Sequence, residues 1–299
     1  MRYGFYIALL LVLVSCRREL QYVQDKRIPD LPVVHAFICP DSALNVNCRT
    51  LAGLLTEDEP ITQASFSFVQ NGLPAFQSSY SGSGIHQFPR FTIKAGDSFA
   101  FYGLINNSKN ISLKGKVPNK ITIASADTSS RLIPGVGVAF SVELKFIDSA
   151  AYANYYRVYL QKISVVYKFD SSDKIIDSST RVEFIPVYSS SLPAIQNNFN
   201  NYTAREVLFS DATFNGVSQT MLLYTTDKLV RTRKEVPLSI DVVIENIDRA
   251  LYAYYNTRNA HLWQQQSISQ IPGVVQGNLT GALGVVGAYT QQRVKIHFK

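Results

Sequence analysis

The chain is poor in the residues from which catalytic centres are usually read. It has three cysteines in 299 residues and no Cys-x-x-Cys pair, so a thiolate zinc site is not encoded. Four histidines (His35, His86, His261, His297) stand far apart, and none has the carboxylate spacing of a zinc-binding helix. No Gly-x-Ser-x-Gly elbow occurs, which removes the hydrolase most often recognised from sequence. Gly277, Gly281, Gly284 and Gly287 punctuate an apolar segment, but no Lys-Ser/Thr follows as a phosphate-cradling loop requires, and they read as structural glycines. Asp170, Asp173 and Asp177 lack the one-three-five order of a calcium loop and read as a solvated hairpin tip. Glu143 and Asp148 lie on a predicted strand and its end, where solvation accounts for both. The sequence therefore predicts no catalytic residue, no metal and no cofactor.

Long apolar runs are also scarce. The one prominent stretch, Phe5 to Val14, has ten residues, half of the roughly twenty needed to cross a bilayer. Only 17% of residues are charged, with 29 basic against 22 acidic for a net +7, and the basic residues are dispersed. Their densest group, Lys228, Arg231, Arg233 and Lys234, reads as the solvated end of a strand pair. A nucleic-acid partner would want a basic face with interleaved aromatics, so none is expected; weak attraction to anionic lipid headgroups or lipopolysaccharide is the better reading.

What the chain has in quantity is an address and β-forming residues. Arg2, the apolar run and Ser15 make a secretory signal, and Leu13-Val14-Ser15-Cys16 resembles a bacterial lipobox. Residues 1–15 are then cleaved, and Cys16 becomes the acylated first residue; the alternative is an ordinary secretory signal with a cysteine near the cut. Two or three acyl chains on one residue suffice for stable anchoring. Residues 16–32, polar and bounded by Pro29 and Pro32, suit a tether.

Seventeen Tyr, seventeen Phe and abundant Val and Ile favour strands. Period-two alternation in Ala64 to Phe68, the Asn71-Gly72 turn, and segments at Phe91 to Ile93, Ser98 to Ile105 and Ile111 to Val117 predict an immunoglobulin-like β-sandwich over residues 33–118. Val33 to Cys39 and Val46 to Arg49 read as two strands joined by a tight loop. A four-residue loop at Ser42 to Asn45 sets Cys39 opposite Cys48, so a cross-strand disulfide is expected, with two buried thiols as the alternative.

Residues 119–299 read as a larger β-rich domain. Val138 to Phe146 alternates without a break. In the strand from Tyr156 the apolar phase moves from Tyr156, Val158 and Leu160 to Ile163, Val165, Tyr167 and Phe169, which predicts a β-bulge near Gln161–Lys162. A partner strand follows at Ile175 to Tyr188, then an irregular excursion from Ser189 to Asn201, with strands again at Met221 to Tyr224 and Ser239 to Ile244. Asp248 caps one helix, Arg249 to about Trp263, on which Leu251, Tyr254, Tyr255 and Leu262 recur at helical spacing. Tyr252, Tyr255 and Trp263 could stack on a flat ligand, although core packing is the favoured reading. The fold class is mainly β, with a sandwich, a larger β-rich domain and one C-terminal helix.

Three segments carry a resemblance: Asn154-Tyr155-Tyr156-Arg157, Phe209 to Gly216, and Pro272 to Gly287, with tyrosine-rich Leu251 to Tyr255 between the last two. In this order they resemble a family of outer-membrane lipoproteins of Bacteroidota-type bacteria, described as a domain of unknown function numbered 4249. Ala282 stands where a polar residue is more usual. The resemblance implies a sandwich followed by a β-rich domain, genes often adjacent to TonB-dependent receptors, and no catalytic residues. It points to a non-catalytic accessory or binding module in nutrient uptake, with a stand-alone envelope scaffold or adhesion lipoprotein as the rival. Surface display is favoured over the periplasmic face, although Arg17 and Arg18 precede the one nearby acidic residue, Glu19.

Overall fold

The computed structural model describes residues 31–40, 42–51, 58–89, 91–149, 152–189, 205–265 and 274–298. The signal segment, Cys16, most of the tether and nearly all of the Ser189 to Asn201 excursion lie outside them. The first strands are β1 (Pro32–Ile38), β2 (Asn45–Thr50), β3 (Ala64–Gln70), β4 (Phe76–Gln77), β5 (Ser79–Gly82), β6 (Ile85–Gln87), β7 (Ser98–Ile105) and β8 (Lys109–Lys116). After them come β9 (Thr122–Ile133), β10 (Gly137–Ile147), β11 (Tyr155–Phe169), β12 (Ile175–Ile185), β13 (Tyr188–Ser189), β14 (Val207–Ser210), β15 (Ser218–Thr225), β16 (Glu235–Ile247), helix α1 (Arg249–Gln265) and β17 (Leu283–His297).

The architecture is mainly β, and its frame is one nine-stranded sheet in the order β12-β11-β16-β17-β1-β2-β6-β5, with β14 beside β11. Two four-stranded sheets, β4-β3-β7-β8 and β13-β15-β10-β9, complete two sandwiches against it. The first core gathers Phe66, Phe68, Phe88, Phe99 and Phe101 with Val34, Ala36 and Ile38, and closes at Val117. The second opens at Ile121 and gathers Val142, Leu144, Phe146, Tyr156, Val158, Met221 and Ile244.

One strand joins the two. The first half of β17 pairs in parallel with β1 (Val33 opposite Leu283, Ile38 opposite Ala288), while its second half pairs antiparallel with β16 (Ile247 opposite Tyr289, Ser239 opposite His297). Ala282, Val286 and Ala288 consequently belong to the first core and Ile296 packs on the second. Residues 33–118 do not build the N-terminal sandwich alone; the far end of the chain completes it. Odd positions of β17 turn the other way, and Val285 packs with Ile247, Leu251 and Tyr255 under α1.

Period two governs the strands that alternation marks most cleanly: in β7 Phe99, Phe101, Gly103 and Ile105 point inward and the residues between them outward. Asn71 and Gly72 both adopt left-handed φ, and the Leu73 N–H donates to the Gln70 carbonyl, closing the hairpin turn. Phe91 to Ile93, expected as a strand, is not one. Phe91 packs edge-on against Phe68 at 4.9 Å and Ile93 is buried, so the apolar signal there marks core rather than pairing.

Two expectations need correction. No disulfide joins Cys39 and Cys48. β2 pairs so that Cys48 faces Val34, and Cys39 lies beyond the end of β1, five positions further along. At about 3.3 Å per residue that offset is some 16 Å, far outside bonding reach. Cys48 is instead part of the first core, and burial pushes its thiol up to about 12.

The β-bulge expected near Gln161–Lys162 lies beside that point, and on the partner strand rather than on β11. Gln161 pairs with both Phe184 and Asp241, and Lys162 with both Glu183 and Ile240, without a break. The register slips one step later, where Ile163 faces Ser239 but Ser164 faces Pro237, so the extra residue is Leu238 of β16. The buried phase never switches: Tyr156, Val158, Leu160, Lys162 and Ser164 all point inward. Lys162 can be buried because its ammonium is held by Glu183 (3.2 Å), Asp227 (3.3 Å) and Glu235 (3.1 Å).

Candidate functional site

On the helix side of the nine-stranded sheet several odd positions of β11 and β16 are polar, although Val243 and Ile247 on the same face bury aliphatics as a two-layer packing would. Arg157 and Tyr159 on β11 and Glu245 on β16 meet Glu206, just before β14, and Tyr255, Arg258 and Asn259 of α1. Arg157 Nε donates to Glu206 Oε2 at 2.6 Å and its Nη1 to Glu245 Oε2 at 3.1 Å. Arg258 Nη2 and Asn259 Nδ2 both donate to Glu206 Oε1, at 2.5 and 2.8 Å. The Tyr159 hydroxyl donates to Glu245 Oε1 at 3.0 Å. The Arg157 guanidinium lies 4.8 Å from the Tyr159 ring centre and 4.5 Å from that of Tyr255, and Arg258 covers the same Tyr255 ring at 4.8 Å.

Both carboxylates are buried, with side chains only 4% and 5% exposed, and they differ in charge preference. Burial pushes Glu206 up, but Arg157 and then Arg258 outweigh it and hold its carboxyl below the ordinary range. For Glu245 burial wins over its single guanidinium, and the carboxyl is held above its ordinary value. Burial works against the charge on Arg157, and Glu206 with Glu245 overcomes it.

Beside this cluster is a cavity of about 460 Å³ lined by Arg157, Phe184, Arg205, Glu206, Arg258, Asn259 and Leu262. Its size suits a small organic molecule. Arg205 and the half-exposed Arg258 stand at the mouth, with Phe184 and Leu262 as apolar wall, while the carboxylates are taken up by internal partners. That arrangement can recognise an anionic group; it presents no uncommitted carboxylate for proton transfer.

The first two segments that carried the resemblance converge at the start of β11. The Asn154 backbone N–H donates to Asp211 Oδ2 at 2.8 Å, and its side-chain amide reaches Asp148 Oδ1 (3.1 Å) and the Ser149 (2.9 Å) and Tyr152 (2.8 Å) carbonyls. Asp148 also accepts from the Tyr156 hydroxyl and, at 2.6 Å, from the Gly216 N–H. Asn246 Nδ2 donates to Asn154 Oδ1 (3.0 Å) and to the Asn119 carbonyl (3.1 Å), which takes a further bond from Thr290. These side chains fasten the start of β11 to the turn after β14 and to the crossing from the first sandwich into the second. Gly284 has φ +97 and lies so close to β1 that a Cβ there would collide with the Val34 carbonyl oxygen; at Gly287 it would strike Leu251. Asp248 caps α1 as expected, accepting from the Leu251 N–H at 2.8 Å, and its other oxygen accepts from the Ala288 N–H at 2.6 Å. The described part of the third segment, from Val274, thus runs into the seam where β17, β1 and α1 meet.

A family model described as domain of unknown function 4249 (DUF4249) matches residues 19–295. The chain belongs to the DUF4249 family. A search of curated proteins found no match to it. Within this DUF4249 chain the structure separates the family segments by role: Asn154, Tyr156, Asp211 and Gly216 build the fastening, and Arg157 enters the cluster beside the cavity.

Cys16 lies outside the described residues. Among those described, no group of three or more His, Cys, Asp or Glu is placed to hold a metal. Asp170 Oδ1 accepts from the Ser172 and Lys174 N–H groups, each at 2.9 Å, at the tip of the β11–β12 hairpin. Tyr255 is buried, and Tyr252 packs on Tyr155 at 4.8 Å. Sequence reading missed Glu206, Glu245, Arg258, Asn259 and Lys162. For Glu245 and Lys162 a signal existed: each is a charge set into an otherwise apolar strand, where exposure is the usual assumption and paired burial the exception. For Glu206 no local signal exists.

Proposed function

We propose that this DUF4249 chain is an outer-membrane lipoprotein, acylated at Cys16, that acts without catalysis as an accessory or binding module of a TonB-dependent nutrient receptor. The observation that carries the binding reading is the Arg157 cluster: its carboxylates are neutralised from within, and arginines front a cavity large enough for a small solute. The lipobox at Leu13 to Cys16 supplies the anchor, and the polar stretch to Pro32 the tether. Surface display on the outer membrane is part of the same reading.

The test is affinity purification of the tagged protein from mildly solubilised outer membrane of its host, with partners identified by mass spectrometry. A TonB-dependent receptor recovered in stoichiometric amount is the expected result. Recovery of the lipoprotein alone contradicts the receptor association and favours a stand-alone envelope scaffold or adhesion lipoprotein.

A further inference from the structure

Hairpin tips are ordinarily polar, and this molecule supplies its own example in Asp170-Ser171-Ser172-Asp173-Lys174 between β11 and β12. The hairpin joining β9 to β10 departs from that rule. Its tip reads Leu132-Ile133-Pro134-Gly135-Val136-Gly137-Val138. Pro134 and Gly135 occupy the central turn positions, Gly135 has φ 77, and the Val136 N–H donates to the Ile133 carbonyl at 3.0 Å, a rigid turn of the second type. Leu132 and Val138 are direct cross-strand partners, exposed 78% and 76%, and Val136 is 44% exposed. Val230, 61% exposed, joins them across a surface hollow of about 600 Å³ whose floor includes Ala139, Phe140 and Leu229. Three large aliphatic side chains held in water at the tip, with a fourth across the hollow, call for a partner.

The charge around the tip says which partner. The connection from β15 to β16 borders the hollow and carries exposed Lys228, Arg231, Arg233 and Lys234. Arg233 is paired with Asp173, but Lys228, Arg231 and Lys234 have no ion-pair partner among the described residues. The nearby acidic group on that connection, Asp227, is engaged by Lys162. An apolar tip beside unpaired basic residues matches the boundary of an anionic bilayer, with aliphatics entering the acyl region and ammonium and guanidinium groups meeting headgroups.

Chain length allows this contact together with an anchor at Cys16. The described chain begins beside the start of β17, and the tip lies at the other end, where Phe140 meets Phe298 at 6.0 Å. Fifteen residues of β17 span about 50 Å at about 3.3 Å each. The sixteen residues from Cys16 to Leu31 reach at most about 55 Å when extended, so both points can touch one membrane with the molecule lying along it.

We propose that the β9–β10 tip and the basic connection beside it form a second, non-covalent membrane contact that docks on an anionic lipid surface. The contact is independent of both the receptor association and the acylation of Cys16. It is tested with the mature chain carrying Cys16→Ser, so that no acyl chain contributes, by co-sedimentation with vesicles of phosphatidylcholine alone or mixed with phosphatidylglycerol. Binding to the mixed vesicles and little to phosphatidylcholine is expected. Val138→Asp, at an exposed position that leaves the core intact, should weaken binding at least about tenfold, and Lys228→Gln about fivefold, with melting temperatures unchanged. Failure of the Cys16→Ser chain to sediment with the mixed vesicles overturns the proposal, as does undiminished binding by Val138→Asp. A photo-crosslinker at Val138 that joins a protein rather than lipid in native membranes also overturns it.

Discussion

Replacing Arg157 with Met separates the ion cluster's stability from its packing. Among the described residues Arg157 is the only cation on Glu245, whereas Glu206 keeps Arg258 and Asn259. Stranding one buried carboxylate costs about 3–5 kcal/mol, and losing the guanidinium's place over two tyrosine rings costs about 1 kcal/mol. Methionine recovers part of the packing, so a loss of about 4 kcal/mol at about pH 8 is expected. With a slope of about 2–3 kcal/mol per molar, the urea midpoint followed by Trp263 fluorescence falls by about 1.5–2 M.

The pH dependence of that loss follows from Glu245. Its folded pKa is raised by burial above the unfolded value of 4.5, and it rises further once Arg157 is gone. A carboxyl raised in the fold contributes stability that is present below the unfolded value and lost as pH rises through the folded one. The deficit should therefore be larger at about pH 8 than at about pH 5, by at least about 1 kcal/mol. Adding Glu245→Met to Arg157→Met should restore about 2 kcal/mol, because an apolar pair replaces an unpaired charge. A deficit below about 1 kcal/mol, an equal deficit at both pH values, or a double variant no better than the single one would refute the reasoning.

Three further outcomes are expected. Gly284→Ala forces a Cβ into the Val34 carbonyl at a positive φ and should destabilise by about 3 kcal/mol or more in urea unfolding, with both sandwiches affected because β17 serves both. Asp248 is raised from 3.8 to about 6 by burial, so its contribution is present below the lower value and lost as pH rises through the upper; relative to Asp248→Asn, the wild type should lose about 2 kcal/mol between about pH 4 and pH 7. Mass spectrometry of the unreduced mature protein should show no Cys39–Cys48 crosslink, and a two-dalton deficit would contradict the register of β1 with β2.

How much of this was legible in the sequence depended on how local each cause is. The alternation of Ser98 to Ile105 matches β7 end to end, and Asp248 marked the first turn of α1, because side-chain period and capping act over a few residues. Lys162 misled because charge was taken to mean exposure; the three carboxylates that make its burial tolerable come from β12, the β15–β16 connection and β16. Cys48 misled because loop length was taken to set register, whereas the inward set Val34, Ala36, Val46 and Cys48 does so. The parallel pairing of β1 with β17 joins residues some 250 positions apart, and no local pattern announces it. In the candidate site Arg157 was visible as part of a family segment, while Glu206 and Asn259 became meaningful only once the fold set them beside it.

The claim on which location and partnership both rest is acylation of Cys16. The direct measurement is mass analysis of the N-terminal peptide from protein extracted from host membranes. A mature chain beginning at diacylglyceryl-modified Cys16 is the predicted result; an unmodified Cys16, or a mature N-terminus elsewhere, would contradict it.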